Sequence, residues 1–178
     1  DMNFNISTNR SKVLSLGPDQ EKPVGEHWGG YYSSILKVGS PIGLFYGQVY
    51  EGVLTQQDID AGNLSSRPGD PKFKDIPDDP NNSTVIGNAN PDFLLGWSNT
   101  FSYKGFSLYF LIDARVGGDV MSLTQAILDQ NGVTKTTAEA RDRDYVEYEG
   151  TRFEGAEQVK GFFKSVGGRN GISEYYMY

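Results

Sequence analysis

Phe93-Leu94-Leu95-Gly96-Trp97-Ser98-Asn99-Thr100-Phe101-Ser102-Tyr103, then Lys104-Gly105, then Phe106-Ser107-Leu108-Tyr109-Phe110-Leu111-Ile112-Asp113-Ala114-Arg115-Val116 is the stretch that decides the fold. In its first half the odd positions are Phe93, Leu95, Trp97, Asn99, Phe101 and Tyr103, and the even ones are Leu94, Gly96, Ser98, Thr100 and Ser102. That is a period of two, the pattern of a strand whose successive side chains point to opposite faces. Past Lys104-Gly105 the phase inverts, with Phe106, Leu108, Phe110, Ile112, Ala114 and Val116 at even positions. A two-residue hairpin loop at Lys104-Gly105 pairs Tyr103 with Phe106, Phe101 with Leu108, Asn99 with Phe110, Trp97 with Ile112, Leu95 with Ala114 and Phe93 with Val116. Both apolar sets then share one face, while Ser98, Thr100, Ser102, Ser107, Asp113 and Arg115 share the other.

Each arm runs to eleven residues. Ordinary strands average about five or six, whereas a tilted strand crossing a bilayer takes about 9–11. A long hairpin of a soluble sandwich, with its apolar face on a core, would show the same alternation, and periodicity does not separate the two.

Working outward, all eight prolines lie between Pro18 and Pro91, so the chain changes character just before the hairpin. Residues 68–92 read as turn chemistry and predict a long loop, because proline has no N–H for a ladder. Between Asp58 and Asp92 seven aspartates stand against Arg67, Lys72 and Lys74, a net charge of −4 within a chain total of −7. Toward the start, Met2, Phe4, Ile6 and Thr8 alternate with Asn3, Asn5, Ser7 and Asn9, which suggests a strand running toward Leu16-Gly17-Pro18. Residues 42–54 suggest one or two short strands bent or bulged at Gly43, Gly47 and Gly52. After the hairpin, Val120, Leu123, Ile127 and Leu128 keep helical spacing, with Asp119 as the expected cap and Asn131-Gly132 as the expected end. Residues 136–145 suggest a second short helix, residues 132–160 as a whole a charged, solvated surface segment, and residues 172–178 the beginning of another strand.

With 37% hydrophobic residues and no apolar run near the ~18 of a spanning helix, a helical membrane protein is excluded but a membrane barrel is not. The acidic balance argues against nucleic acid as a partner. With no cysteine and one histidine, disulfides, thiolate sites and multi-histidine metal sites are excluded.

No cofactor motif, nucleophile elbow or phosphate loop is present, and His27 sits alone among glycines, so no catalytic residue is assigned. Residues 75–80 fit a calcium loop poorly, since Pro77 and Pro80 stand where a ligand and a glycine are needed, and no metal is assigned. Trp28, Tyr31 and Tyr32, also among glycines, are candidates for stacking on a sugar ring or packing a partner.

Several ordered blocks together resemble the carboxy-terminal part of the SusC/RagA-type TonB-dependent outer-membrane transporters of the Bacteroidetes. They are Phe4-Asn5-Ile6-Ser7-Thr8-Asn9-Arg10 to Leu16-Gly17, Ile42-Gly43-Leu44-Phe45-Tyr46-Gly47, Pro68-Gly69-Asp70-Pro71, Ile86-Gly87-Asn88-Ala89-Asn90-Pro91-Asp92-Phe93, and the hairpin itself. The resemblance implies a mainly β fold of antiparallel strands with long loops and one or two short helices, a fragment of a transmembrane β-barrel. It implies a strand over residues 1–16, an extracellular region with short strands over 17–92, barrel strands over 93–116, a helical charged extracellular loop over 117–171, and a strand beginning at 172–178. Tyr109, Asp113 and Arg115 would then face the lumen.

For the parent protein, the resemblance implies import of a glycan or peptide through the outer membrane, with TonB and a SusD/RagB-like surface lipoprotein as partners. The chain's abrupt start and unterminated end lead to the expectation of an excised piece. Alone in water, such a piece would have to cover Phe101, Phe106, Leu108 and Phe110 with the 120–128 helix or with a second copy. The alternative classes are a soluble β-sandwich module binding carbohydrate and a calcium-stabilised extracellular module.

Overall fold

The computed structural model describes residues 1–24, 34–62, 66–77, 83–167 and 173–178. In chain order its elements are β1 (Met2–Ser7), β2 (Glu21–Pro23), β3 (Ile35–Lys37), β4 (Leu44–Gly47), β5 (Tyr50–Val53), α1 (Gln56–Gly62), β6 (Pro71–Phe73), β7 (Thr84–Asn88), β8 (Phe93–Tyr103), β9 (Phe106–Val116), α2 (Leu123–Gln130), α3 (Lys135–Arg143), β10 (Tyr145–Tyr148), β11 (Thr151–Glu154) and α4 (Ala156–Val166), followed by a 3-10 turn at Glu174–Tyr176. Among the described residues the fold is mainly β and antiparallel, with four short helices rather than the one or two expected.

β8 and β9 pair in the expected register, Tyr103 opposite Phe106 through to Phe93 opposite Val116. The turn works because Lys104 (φ 44°) and Gly105 (φ 85°) both take positive φ, the type I′ geometry whose twist matches that of the strands. β1 adds to the other edge of β8, Phe4 opposite Trp97 and Ile6 opposite Leu95, which completes a three-stranded sheet of order β1-β8-β9. Its apolar face is bare. Phe101, Phe106 and Leu108 are 55%, 83% and 63% exposed, and Met2, Phe4 and Ile6 are exposed beside them. A sandwich would bury this face under a second sheet, and among the described residues no second sheet covers it. The helix expected as a cover, α2, packs elsewhere.

That place is a second body at one end of the sheet. β1 leaves at Ser7, opposite Leu94, and β9 leaves at Val116, opposite Phe93, so both long connections depart from the end away from Lys104-Gly105. They fold into a lobe with its own core of Ala126, Ala140, Phe153, Val159, Phe162, Phe163, Val166 and Tyr176. α4 supplies Val159, Phe162, Phe163 and Val166 at i, i+3, i+4 and i+7, one face of a helix. Ring contacts bind the rest: Phe153 lies 4.8 Å from Phe162, and Tyr148 lies 5.1 Å from Tyr175 and 5.2 Å from Tyr50, measured between centroids. The expectation of a merely solvated 132–160 segment is therefore corrected. β10 and β11 form a second hairpin inside it, closed by Glu149 and Gly150, both at positive φ.

Other expectations are also revised. Ser122, not Asp119, caps α2, because its side chain accepts from the Gln125 N–H; Asn131 ends that helix as expected. The proline-rich 68–92 region carries β6 and β7, since Pro71 occupies the first position of its strand, where a missing N–H is tolerated. α1 lies within the region expected to hold only loops and strands. Thr55 and Asp58 start it reciprocally: Thr55 donates from its backbone N–H and hydroxyl to Asp58 Oδ2, and Asp58 N–H donates to Thr55 Oγ1. The strand expected over 172–178 is instead the 3-10 turn, with single bridges Gln48 to Ser173 and Met121 to Met177. β1 ends at Ser7 rather than continuing to residue 16.

Candidate functional site

The polar face of the three-stranded sheet is the first candidate surface. β9 presents Tyr109, Asp113 and Arg115 there, opposite Thr100, Gly96 and Leu94. Asn5, Gly96 and Asp113 form one cross-strand row, since Asn5 also pairs with Gly96. Gly96 is buried under Asn5: a Cβ at this position would lie 2.8 Å from Asn5 Oδ1. Ser102 and Ser107 share a hydrogen bond of 3.0 Å near the turn.

Tyr109 and Asp113 are exposed, and their side chains make no hydrogen bond among the described residues. Arg115 is different. Its Nη2 donates to the Ala89 carbonyl at 2.5 Å, which ties the end of β9 to the segment that leads into β8. Trp28, Tyr31, Tyr32 and His27 lie outside the described residues, as do Asp78 and Asp79.

The junction between sheet and lobe was not foreseen as a site. Asn88 Oδ1 accepts from Asn90 N–H at 3.0 Å and from Asn90 Nδ2 at 2.9 Å, and Asn90 Nδ2 also donates to the Ile42 carbonyl. Asp119 Oδ2 accepts from Asn88 N–H at 2.7 Å. A Cβ on Gly87 would crowd Met177 Cε and the Asp119 side chain, so these segments close over a residue without a side chain. Gly117 (φ 74°) and Gly118 (φ 88°) let the chain turn out of β9 beneath this knot. The asparagine and glycine spacing of residues 86–90 was visible in the sequence, but its partner Asp119 is about thirty residues away.

Electrostatics are concentrated in the lobe. Burial pushes the Tyr148 hydroxyl above the ordinary phenol range, with the nearby Glu174 carboxylate adding to it. Burial likewise raises Tyr175 to about 12 and Tyr176 further still, and the Asp129 carboxylate contributes to both. Asp129 is itself 1% exposed. Its Oδ1 accepts from Gln125 Nε2 and Thr134 Oγ1, whereas Oδ2 and the Tyr176 hydroxyl each lack a hydrogen bond of good geometry. On the lobe's surface, the Thr55 hydroxyl, followed by Lys72, holds the Asp58 carboxyl far below the usual range, and Arg67 lowers Glu157 across a 2.6 Å ion pair. Asp70 reaches the same helix: its Oδ1 lies 2.6 Å from where a Cβ on Gly161 would be.

Open cavities lined by described residues include the following three. One of about 420 Å³ lies among α2, α3 and α4 and one of about 310 Å³ lies at the sheet–lobe junction. Another of about 310 Å³ lies beside Glu147, Glu149 and Arg152. No helix among the described residues is long and apolar enough to cross a membrane, which leaves strands unaddressed.

No family model matches the chain. Among curated proteins, it is similar to TonB-dependent receptor P3 of Formosa agariphila, 32% identical over an alignment of 148 residues, gaps included, that covers 76% of this chain and 15% of that receptor. TonB-dependent receptor P26 of the same organism is 30% identical over 126 residues, 66% of this chain and 13% of the relative. TonB-dependent receptor P39 is 27% identical over 159 residues, 66% of this chain and 15% of the relative. The chain thus spans a small part of the length of the curated relatives it matches. By these three matches the chain belongs to the TonB-dependent receptors as a segment of one.

Proposed function

We propose that this segment supplies barrel wall and extracellular loops to an outer-membrane importer of the SusC/RagA type, whose cargo is a glycan or a peptide. The single observation that carries the reading is the three-stranded sheet with its apolar face bare and both long connections leaving from one end. Ten steps of about 3.3 Å span about 33 Å along a strand, and a tilt of about 40° brings this to roughly the 25 Å height of a lipid-facing band. Lipid covers Phe4, Trp97, Phe106 and Leu108, Lys104-Gly105 is a periplasmic turn, and the lobe stands outside the cell. Tyr109 and Asp113 line the lumen, and Trp28, Tyr31 and Tyr32 contact ligand or partner. TonB and a SusD/RagB-like surface lipoprotein are the partners of the whole receptor.

Orientation is testable because these 178 residues contain no cysteine. In the full receptor, with any other cysteines removed, Lys104→Cys and Asp142→Cys are exposed one at a time to a membrane-impermeant maleimide on intact cells. Asp142→Cys should label and Lys104→Cys should label only after the outer membrane is permeabilised. Labelling of Lys104→Cys on intact cells would overturn the topology.

A further inference from the structure

The cavity of about 420 Å³ among α2, α3 and α4 falls within the roughly 300–1,000 Å³ of small-molecule sites. Its lining divides by burial. Val159, Phe163 and Asp129 are buried, while Arg141, Lys160 and Lys164 are exposed. Counting formal charges on the lining, Arg141, Lys160 and Lys164 give +3 and Asp129 and Glu157 give −2, for +1. Glu157 is paired with Arg67, which is not part of the lining, and also feels Lys160 and Lys164, so the surplus that a solute meets stays at +1. This stands against a chain of net −7.

None of the three cations forms a close ion pair among the described residues, although the Glu157 carboxylate acts on both lysines from a distance. Arg141 Nη1 donates to the Gly132 carbonyl at 2.8 Å, which fixes the guanidinium at the end of α2 and leaves its other donors open. Lys160 and Lys164 stand four residues apart on α4, a like-charge spacing that costs a helix stability unless an anion lies between the ammonium groups. Beneath them, Asp129 Oδ2 is a buried acceptor without a hydrogen bond of good geometry, the Tyr176 hydroxyl being the donor that lies beside Asp129. An acceptor below and cations without a close ion pair above call for a molecule that is a carboxylate at one end and a hydroxyl or amine donor at the other, with an apolar face against Val159 and Phe163.

We infer that the α2–α3–α4 cavity binds a small carboxylate-bearing nutrient unit, its acid group on Lys160, Lys164 and Arg141 and a donor group on Asp129. An acidic sugar and an acidic peptide both have that chemistry. The inference rests on the proposed function only in placing the lobe outside the cell, and the binding itself is measured separately from transport.

The test uses the purified full receptor in detergent and its Lys160→Gln/Lys164→Gln variant, whose substituted side chains are exposed and outside the core. Saturation-transfer NMR and calorimetry with galacturonate, galactose and a dipeptide of glutamate read the site. The expected result is saturable binding of galacturonate or of the dipeptide, whichever source the site serves, no binding of galactose, and at least tenfold weaker binding of the acid by the variant. Failure of both acids to bind, equal binding of galactose, or an unchanged affinity in the variant would each overturn the inference. None of these outcomes touches the barrel topology, which the labelling experiment decides.

Discussion

Gly118 shows how much one residue without a side chain can hold. Its φ of 88° lies where L side chains are strained, and a Cβ would stand 3.0 Å from the Ala89 carbonyl oxygen and 3.2 Å from the Pro91 nitrogen, both backbone atoms with little freedom to move. Gly118→Ala should therefore destabilise the junction by about 1–3 kcal/mol, the cost of a strained backbone position. Thermal melting of the receptor, followed by proteolysis at the sheet–lobe boundary, checks this, and a melting curve that overlays the parent's would refute it. Arg115 teaches the complementary lesson at the other side of the knot. Its position on the polar face was legible from alternation, but its bond to the Ala89 carbonyl makes it a brace rather than a free lumen cation.

Among the elements, the lobe depends on tyrosines kept neutral. Tyr148, Tyr175 and Tyr176 all ionise above the ordinary phenol value of about 10, so the folded lobe resists losing these protons while the unfolded chain does not. The sign follows from linkage. The stability associated with Tyr175 is fully present below pH ~10 and is lost as pH rises toward about 12, with Tyr148 and Tyr176 extending the loss upward. Alkaline titration should open the lobe to protease while the long-stranded sheet stays intact, and Tyr176→Phe should move that opening to higher pH. A protease profile independent of pH above 10, or unshifted in the variant, would contradict this account. The lobe's core was partly legible: Val159, Phe162, Phe163 and Val166 keep the helical period, but the charges interleaved among them masked it, so the segment reads as solvated until α2 and β11 are seen to bury one side.

At the scale of the whole molecule, the bare face of the sheet gives a gradient that distinguishes lipid from a protein partner. Ile112, opposite Trp97, lies midway along the hairpin, and Phe106 lies beside the turn. In a bilayer, Ile112→Arg should cost about 2–4 kcal/mol and Phe106→Arg only about 0–1, because the penalty for a charge follows its depth. Unfolding of the receptor in lipid vesicles measures both. Equal costs at the two positions would indicate a protein surface against the sheet instead. Among the described residues, β1 and β9 are the outer edges of this sheet and pair with no further strand.

Local chemistry alone determined the hairpin. Strict alternation over 93–116 and a Lys-Gly corner able to take positive φ twice leave one register that puts the apolar residues together, and β8 and β9 adopt it. The cap of α2, the strands within the proline-rich region and the 3-10 turn at Glu174–Tyr176 in place of a strand expected over 172–178 were decided only in three dimensions. Each depends on partners far away in the chain: Asn88 occupies Asp119 and leaves capping to Ser122, β5 pairs with β6, and Tyr176 is drawn into the core beside Asp129. Alternation is a property of neighbours and can be read from one segment, whereas burial and hydrogen-bond competition belong to whichever segments the fold brings together.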